Sequence, residues 1–328
     1  MAPVRRFNSF GAFAKARWDG RKLQKVNIDA GFTCPNRDGT LGYGGCVYCN
    51  NNSFKPGSCR SVLPVSKQVS DGICYLGRRY KADLFLAYFQ SYTNTYAPVE
   101  ELERLYLEAL ANPQVAGLAI GTRPDCVDEQ KIALLESLAR KYFVLVEYGI
   151  QSIYEKSLHF IERGHGLESF LQAVELTSGR GIHIGAHIIA GIPTETREET
   201  LLMADRMSEL DIGFLKLHQL QVVKDTKLAH SYKEAPFPVF GYEEYIDFAV
   251  DFLERLRADI VIQRLFATAP DELLIAPRWG WDRHRTLIDI EKRLAARDTF
   301  QGKKAKKKKA SCGNRQAGAE AGAGFSWE

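Results

Sequence analysis

After residue 20 the chain alternates short runs of apolar, β-branched or aromatic residues with longer amphipathic stretches. That alternation predicts parallel strands joined by crossover helices. The predicted strands are 23–29 (LQKVNID), 83–90 (DLFLAYFQ), 115–121 (VAGLAIG), 143–150 (FVLVEYGI), 182–190 (IHIGAHIIA) and 213–223 (GFLKLHQLQVV). Helices are predicted between them at 66–80, 98–111, 128–140, 167–178 and 197–210, with Pro98 in a first turn and Asp128 capping the helix opened by Glu129. Six such units predict a partial or full (β/α) barrel, and periodicity leaves an open doubly wound sheet as the alternative. In either fold the loops after the strands carry the chemistry.

Beyond the sixth strand, 225–240 is rich in turn residues, including Pro236 and Pro238. A predicted helix at 242–257, a strand at 259–266 (DIVIQRLF) and a charged helix at 283–297 follow. The reading in order is an N-terminal segment (1–20), a core barrel (21–224), a small C-terminal α/β extension packed on it (225–300) and a Lys-rich tail that does not fold (301–328).

Composition is that of an ordinary globular protein: 328 residues, 45% apolar, 26% charged, mean hydropathy -0.24. The net charge of +4 misleads, because the tail holds seven cations against Glu320 and Glu328, which leaves residues 1–300 at −1. A neutral body does not advertise a polyanionic partner; the Lys run reads as a solvated tail, or alternatively as a weak electrostatic arm. No stretch reaches the roughly 18 consecutive apolar residues of a membrane helix, and the start, MAPVRRFNSFGAFAKARW, has no apolar core of signal-peptide length. A cytoplasmic protein with no membrane partner is expected, with organellar import as the alternative suggested by Arg5, Arg6, Lys15 and Arg17.

Seven cysteines, an odd number without an export signal, argue against a disulfide framework. Three of them form the run Cys34-x11-Cys46-x2-Cys49 directly after the first predicted strand. The connection PNRDGTLGYGG holds Gly39, Gly42, Gly44 and Gly45, so it can take left-handed conformations and double back over a metal centre. Three thiolates without a paired fourth suit an iron–sulfur cluster with one iron open. The alternative is a structural zinc site using Cys59 as fourth ligand. Cys59, Cys74, Cys126 and Cys312 are read as non-ligands, Cys74 and Cys126 as small apolar residues.

The segments VNIDAGFTCPNRDGTLGYGGCVYCNNNSF, AYFQSYTNTYAP, GTRPDCVD, VEYGIQS, ERGHG, HIIAGIPTET, LKLHQLQVVKDTKLA and DELLIAPRWG occur in order over about residues 7–290. Together they resemble the YhcC/YtqA group of radical S-adenosylmethionine (radical SAM) proteins, relatives of the elongator catalytic subunit and of coproporphyrinogen dehydrogenase. The resemblance implies a partial (β/α)6 TIM-type barrel and a 4Fe-4S cluster held by Cys34, Cys46 and Cys49, whose free iron takes the amino and carboxylate groups of S-adenosyl-L-methionine (SAM). It implies reductive cleavage of SAM to a 5′-deoxyadenosyl radical that abstracts hydrogen from substrate, and an electron donor such as flavodoxin or ferredoxin.

The same resemblance places Tyr48 near the adenine and Gly191-Ile192-Pro193 in a turn beneath it. Gln151 and Arg163, twelve apart, match SAM-contacting residues of the related branches; an amide can address ribose and a guanidinium the SAM carboxylate. Glu147 is acidic in an otherwise apolar strand and needs a polar partner, either the SAM ammonium or ribose, or a buried cation such as Arg123. The chain departs from the coproporphyrinogen branch at Gly121-Thr122-Arg123 and at His187, so those contacts do not carry over.

Substrate-side candidates are Gln90–Tyr96, His183, His187, His218, Lys216 and Lys224, the histidines read first as hydrogen-bonded core residues. Kinship with the elongator subunit points to tRNA wobble-uridine modification, with Arg37, Lys55 and Arg60 near the cluster mouth favouring a polyanion. The alternatives are a radical SAM enzyme acting on a small metabolite or protein side chain, and a non-catalytic metal scaffold.

Overall fold

Residues that alternate along each strand separate into two sets, and that separation builds the molecule. The computed structural model describes residues 6–53, 61–280 and 283–306. In chain order the main elements are α1 (Phe10–Arg17), β1 (Leu23–Ile28), α2 (Val65–Tyr80), β2 (Leu84–Phe89), α3 (Val99–Leu110), β3 (Val115–Thr122), α4 (Glu129–Ala139), β4 (Phe143–Gln151), α5 (Glu155–Phe160), α6 (Leu167–Thr177), β5 (His183–Ala190), α7 (Arg197–Glu209), β6 (Phe214–Gln219), β7 (Val222–Val223), α8 (Lys227–Glu234), α9 (Tyr242–Arg255), β8 (Val261–Arg264), β9 (Leu274–Ala276) and α10 (Arg283–Ala296). The six predicted strands and seven predicted helices are all present, and Asp128 caps α4 through Lys131 N.

One seven-stranded sheet runs β1-β2-β3-β4-β5-β6-β8, parallel throughout, and a small antiparallel pair joins β7 and β9. Each crossover helix covers the outer face, where Val26, Ile28, Phe85, Phe89, Ile120, Val146, Ile150, Ile188 and Leu217 pack in the main core. The other alternation points inward. Leu23, Leu84, Leu86, Phe143, Leu145, Phe214 and Val261 fill the barrel floor together with Ala14. The sheet is therefore a curled partial barrel, and the doubly wound alternative is excluded by this filled interior.

Helix α1, not expected from the sequence, is the plug of that floor: Phe10, Phe13 and Trp18 pack on Phe143 and Phe214. The segment read alternatively as an import sequence thus serves as interior packing from Phe10 on. Upstream of it the Asn8 carbonyl accepts from Ile262 N at 2.7 Å, so the chain before α1 lies along the β8 edge.

Two boundaries read from sequence differ in the structure. Residues 225–300 are not only an appendage, since β8 pairs with β6 as the seventh strand of the barrel sheet. The tail expected from 301 begins with an ordered stretch: Gln301 is buried, donates to the carbonyls of Arg257 and Ile260 at 2.8 Å and accepts from Asn8 N at 2.9 Å. Periodicity cannot show such a clasp, because it rests on single polar contacts. The rest of that tail, with Cys312, lies outside the described residues, as do Lys55, Cys59 and Arg60. Among the described residues no helix is long and apolar enough to cross a membrane.

Close strand approach depends on Gly117, where an added methyl would overlap the Phe143 carbonyl of the neighbouring strand. Gly117→Ala should lower stability by about 2 kcal/mol, the usual scale of overpacking, whereas Gly213→Ala, with nothing nearby, should change little. Urea denaturation of the two variants beside the parent chain measures the difference.

Candidate functional site

The loop after β1 carries all three clustered cysteines to the open end of the barrel. It folds back on itself by Gly39 N to Gly42 O (3.1 Å), Leu41 N to Pro35 O (2.9 Å) and Gly45 N to Asn36 O (2.8 Å). Gly39, Gly44 and Gly45 have positive φ, as the glycine-rich connection requires, while Gly42 does not. An added methyl at Gly45 would meet Arg37 Nε at 2.9 Å, so the glycine also leaves room for that guanidinium. The segment between the later cysteines is pinned from outside by Val47 N to Ile161 O (3.1 Å) and Leu228 N to Val47 O (2.9 Å). Helices α5 and α8, both unpredicted, exist on this side of the loop, and Val47, Ile161 and Leu228 share a small apolar cluster beneath it.

Cys34, Cys46 and Cys49 line one cavity together with Arg37, Arg123, Arg163, Tyr48 and Gln151. Asn36 Nδ2 and Arg163 Nη1 each lie 3.4 Å from Cys46 Sγ. Burial opposes ionisation of the Cys46 thiol, but Arg163, Arg123 and the Asn36 amide outweigh it and hold its pKa below the ordinary thiol value. Burial and the neighbouring Cys46 raise that of Cys49, against the pull of Arg37, which also donates to the Cys49 carbonyl at 2.8 Å. Among the described residues no three His, Cys, Asp or Glu side chains converge as a single ion demands. Three sulfurs facing one cavity, cations behind them and a buried, unpartnered Arg163 Nε are a donor set that fits a cluster larger than one ion and an anionic ligand on it.

The remaining candidates divide. Arg163 Nη2 donates to Gly149 O at 2.6 Å, so its fork spans strand and sulfur and does not stand free for a bidentate carboxylate. Gln151 adopts φ 69° at a register shift in β4, and an added methyl on Gly149 would meet both Gln151 Nε2 and Arg163 Nη2 at 2.7 Å. Tyr48 lines the cavity and packs on the apolar cluster below. Gly191, Ile192 and Pro193 are not brought to it: Gly191, φ 84°, faces Phe240, Ile192 is buried in the apolar cluster and Pro193 is exposed. Ile189, two residues earlier and inward by alternation, lines the cavity in their place.

Glu147 has 0% exposure, with Lys25 Nζ 2.8 Å from Oε1 and both Lys216 Nζ and His187 Nε2 on Oε2, the latter at 3.1 Å. Arg123, the cation weighed from sequence, instead pairs with Asp125 and donates to Arg163 O. Burial alone would raise the Glu147 pKa, yet Lys216 and Lys25 drive it well below the usual carboxylate value. Lys216 also donates to Tyr88 OH at 2.7 Å. His187 and His218 line the cavity, whereas His183 stacks on Phe143 in the floor. Gln90, Tyr92 and Thr93 reach it; Lys224 is exposed away from it, and Cys74, read as apolar filling, is exposed while Cys126 is buried.

Sequence reasoning missed Lys25, Tyr88, Asn51, Gln219, Gln221 and Arg264, of which all but Lys25 line the cavity. A signal existed for Lys25 and Tyr88, which keep the inward parity of Leu23 and of Leu84 and Leu86.

Comparisons with known proteins bear on the family and the fold. Residues 34–207 match the Radical SAM superfamily and 212–296 the Radical_SAM C-terminal domain. The chain is 33% identical over 288 residues to Protein YhcC of Escherichia coli (strain K12), covering 88% of this chain and 92% of that protein. A tRNA uridine(34) acetyltransferase of Methanocaldococcus jannaschii is 27% identical over 152 residues, 45% of this chain and 27% of that protein. Among solved structures, Methanocaldococcus infernus Elp3 superposes with a TM-score of 0.66 at 17% identity, covering 86% of this chain and 64% of that longer one. That last likeness is one of fold.

Burial and Lys216 lower the His187 pKa to about 4, against the pull of Glu147. The folded value lies below the unfolded one near 6.5, so the contribution of neutral His187 is complete above 6.5 and is lost as pH falls toward 4, by about 1.4 kcal/mol per pH unit. His165 and His218 are lowered by burial too and add to the slope. His187→Gln should remove close to one proton from the pH dependence of unfolding between 6.5 and 4.5, measured by urea denaturation at several pH values.

Proposed function

We propose that this chain, which belongs to the radical SAM superfamily and is accordingly an enzyme using a 4Fe-4S cluster and SAM, modifies the wobble uridine of tRNA, with Cys34, Cys46 and Cys49 as the cluster ligands. The observation that carries the ligand set is that these three cysteines line one cavity together with Arg37, Arg123 and Arg163. A cluster held by Cys34, Cys46 and Cys49 and reduced by a one-electron donor of the flavodoxin or ferredoxin kind would supply reductive cleavage of SAM and, through it, hydrogen abstraction from substrate.

The protein's own residues hold and shield. Asn36 and Arg163 hydrogen bond to Cys46 Sγ and favour its thiolate; Arg37 does the same for the charge at Cys49. Gln151, raised over Gly149 by the bulge in β4, is set to meet ribose hydroxyls, and Arg163 Nε to meet the cofactor carboxylate. Tyr48 and Ile189 supply apolar wall beside the adenine and keep water from it.

Support for a nucleobase substrate comes from the rest of the lining. Asn51 and Gln90 offer side-chain amides and Gln221 an amide oxygen, the Gln219 amide being closed on the main chain of Ala267, and the half-exposed Tyr92 ring, with Arg37 5.7 Å from its centroid, offers a stacking surface. Amides that address base edges and aromatic planes that stack are how proteins seize unpaired RNA bases. The alignment with a tRNA uridine(34) acetyltransferase adds a substrate class to that chemistry. The scaffold alternative has no use for such a lining.

Anaerobic reconstitution of Cys46→Ala should yield protein with little bound iron and no 5′-deoxyadenosine on addition of dithionite and SAM, while Cys126→Ala should retain both; equal iron in the two would refute the ligand set. For the substrate, tRNA from cells with and without the gene should differ in a wobble-uridine nucleoside by mass spectrometry. An identical nucleoside profile would leave the radical chemistry standing and remove tRNA from it.

A further inference from the structure

The cavity has two charged walls. Arg37, Arg123 and Arg163 stand on the cysteine side. The inward positions of β4, β5, β6 and β8 present a second charged group of Glu147, His187, Lys216, His218 and Arg264, with Lys25 Nζ 2.8 Å from Glu147.

This second wall is not electroneutral. Lys25 and Lys216 both end on Glu147, one on each oxygen, and a single carboxylate balances a single ammonium. Arg264 also lines the cavity, and its charge reaches Lys25, Lys216 and His218. Among the described residues no other carboxylate lines the cavity. Burial holds the Lys216 pKa well below its ordinary value in spite of Glu147. The hydrogen bonding is incomplete as well. Lys216 spends two of its three N–H groups, on Glu147 and on Tyr88 OH. His218 Nε2 is buried without a partner. A closed structural network would balance its charge and use its donors; this one leaves both unspent toward a cavity.

We propose that this wall seats an anionic group of the substrate, a carboxylate or a phosphate, with Lys216 as its principal cation and His218 Nε2 as a second donor. The cofactor's own carboxylate does not need this wall, because the unpartnered Arg163 Nε on the cysteine side is assigned to it. The seat rests on the reading of the cavity as the substrate site and deepens it by a chemical class: the group enters the barrel below the rim and lies against β6.

Anaerobically reconstituted, full-length protein is titrated by calorimetry with phenylacetate, phenyl phosphate and the neutral isostere phenylacetamide. At least one anion should bind tenfold or more tightly than the amide, and whichever does so distinguishes carboxylate from phosphate. Lys216→Met, which leaves Glu147 paired with Lys25, should abolish that preference with the far-ultraviolet circular dichroism unchanged. Lys141→Met removes one exposed cation that does not line the cavity and should keep it. Equal binding of the amide, no binding of either anion, or equal loss in both variants would each overturn the seat. No tRNA enters this titration, so the seat can stand where the tRNA reading falls, and the reverse.

Discussion

A carboxylate sealed from water must be met by cations, and in this molecule that demand shapes the sheet. Glu147 sits on β4, Lys25 on β1 and Lys216 on β6. In a flat sheet β1 and β4 are three strand spacings apart, about 14 Å, beyond the reach of a lysine to a facing glutamate. The observed ion pairs with both lysines therefore exist only because the sheet curls until β1 and β6 look across a common interior toward β4. Curvature and ion network require one another: flattening the sheet would strand a fully buried charge, which costs several kcal/mol at the least.

That ionic layer is the boundary between two media. Below it the barrel is dry, filled by Phe143, Leu145, Phe214 and the aromatic face of α1. Above it the cavity opens among amides, tyrosines and the cysteine loop. A low-dielectric floor strengthens every electrostatic contact just above it, so the plug formed by α1 acts on the site although none of its residues line the cavity. The edges of an incomplete barrel must also be covered. On the β8 side the Asn8–Ile262 hydrogen bond and the Gln301 amide, bonded to Asn8, Arg257 and Ile260, tie the segments flanking the barrel together.

The strands and crossover helices were legible because burial on both faces of a parallel sheet produces dense apolar runs, and the glycine-rich connection with its cysteines was legible because its chemistry is local. Residues that act through distant partners were not. Lys25 lies 122 positions from Glu147, and nothing in LQKVNI announces which carboxylate it will find. Glu147 was visible as a buried acid needing a partner, yet Arg123, nearer in sequence, finds its own carboxylate two residues away in Asp125. The turn Gly191–Pro193 looked like an adenine contact from its place after β5, but strand parity turns Ile189 inward and leaves Ile192 to the apolar cluster. Helices α5 and α8 are short and derive their order from the loop they brace, so their own periodicity is too brief to read.

Strand β4 shows how one stretch of sequence passes through every layer. Its inward residues in turn are Phe143 and Leu145 in the floor, Glu147 in the ionic layer, Gly149 under Arg163, and Gln151 at the rim. A side chain at Gly149 would displace both the guanidinium and the amide, so the absence of a Cβ there is what lets Arg163 reach Cys46 across the strand end. The left-handed backbone at Gln151 costs about 1 kcal/mol for a residue with a side chain, and the register shift beside it is the means by which the amide leaves the strand's parity and rises over Gly149. Arg163 then couples the two halves of the cavity mechanically: one nitrogen on the strand that carries Glu147, another on the sulfur of Cys46. That guanidinium thus ties the cysteine loop, which Asn36 and Val47 also anchor, to the strand that carries Glu147.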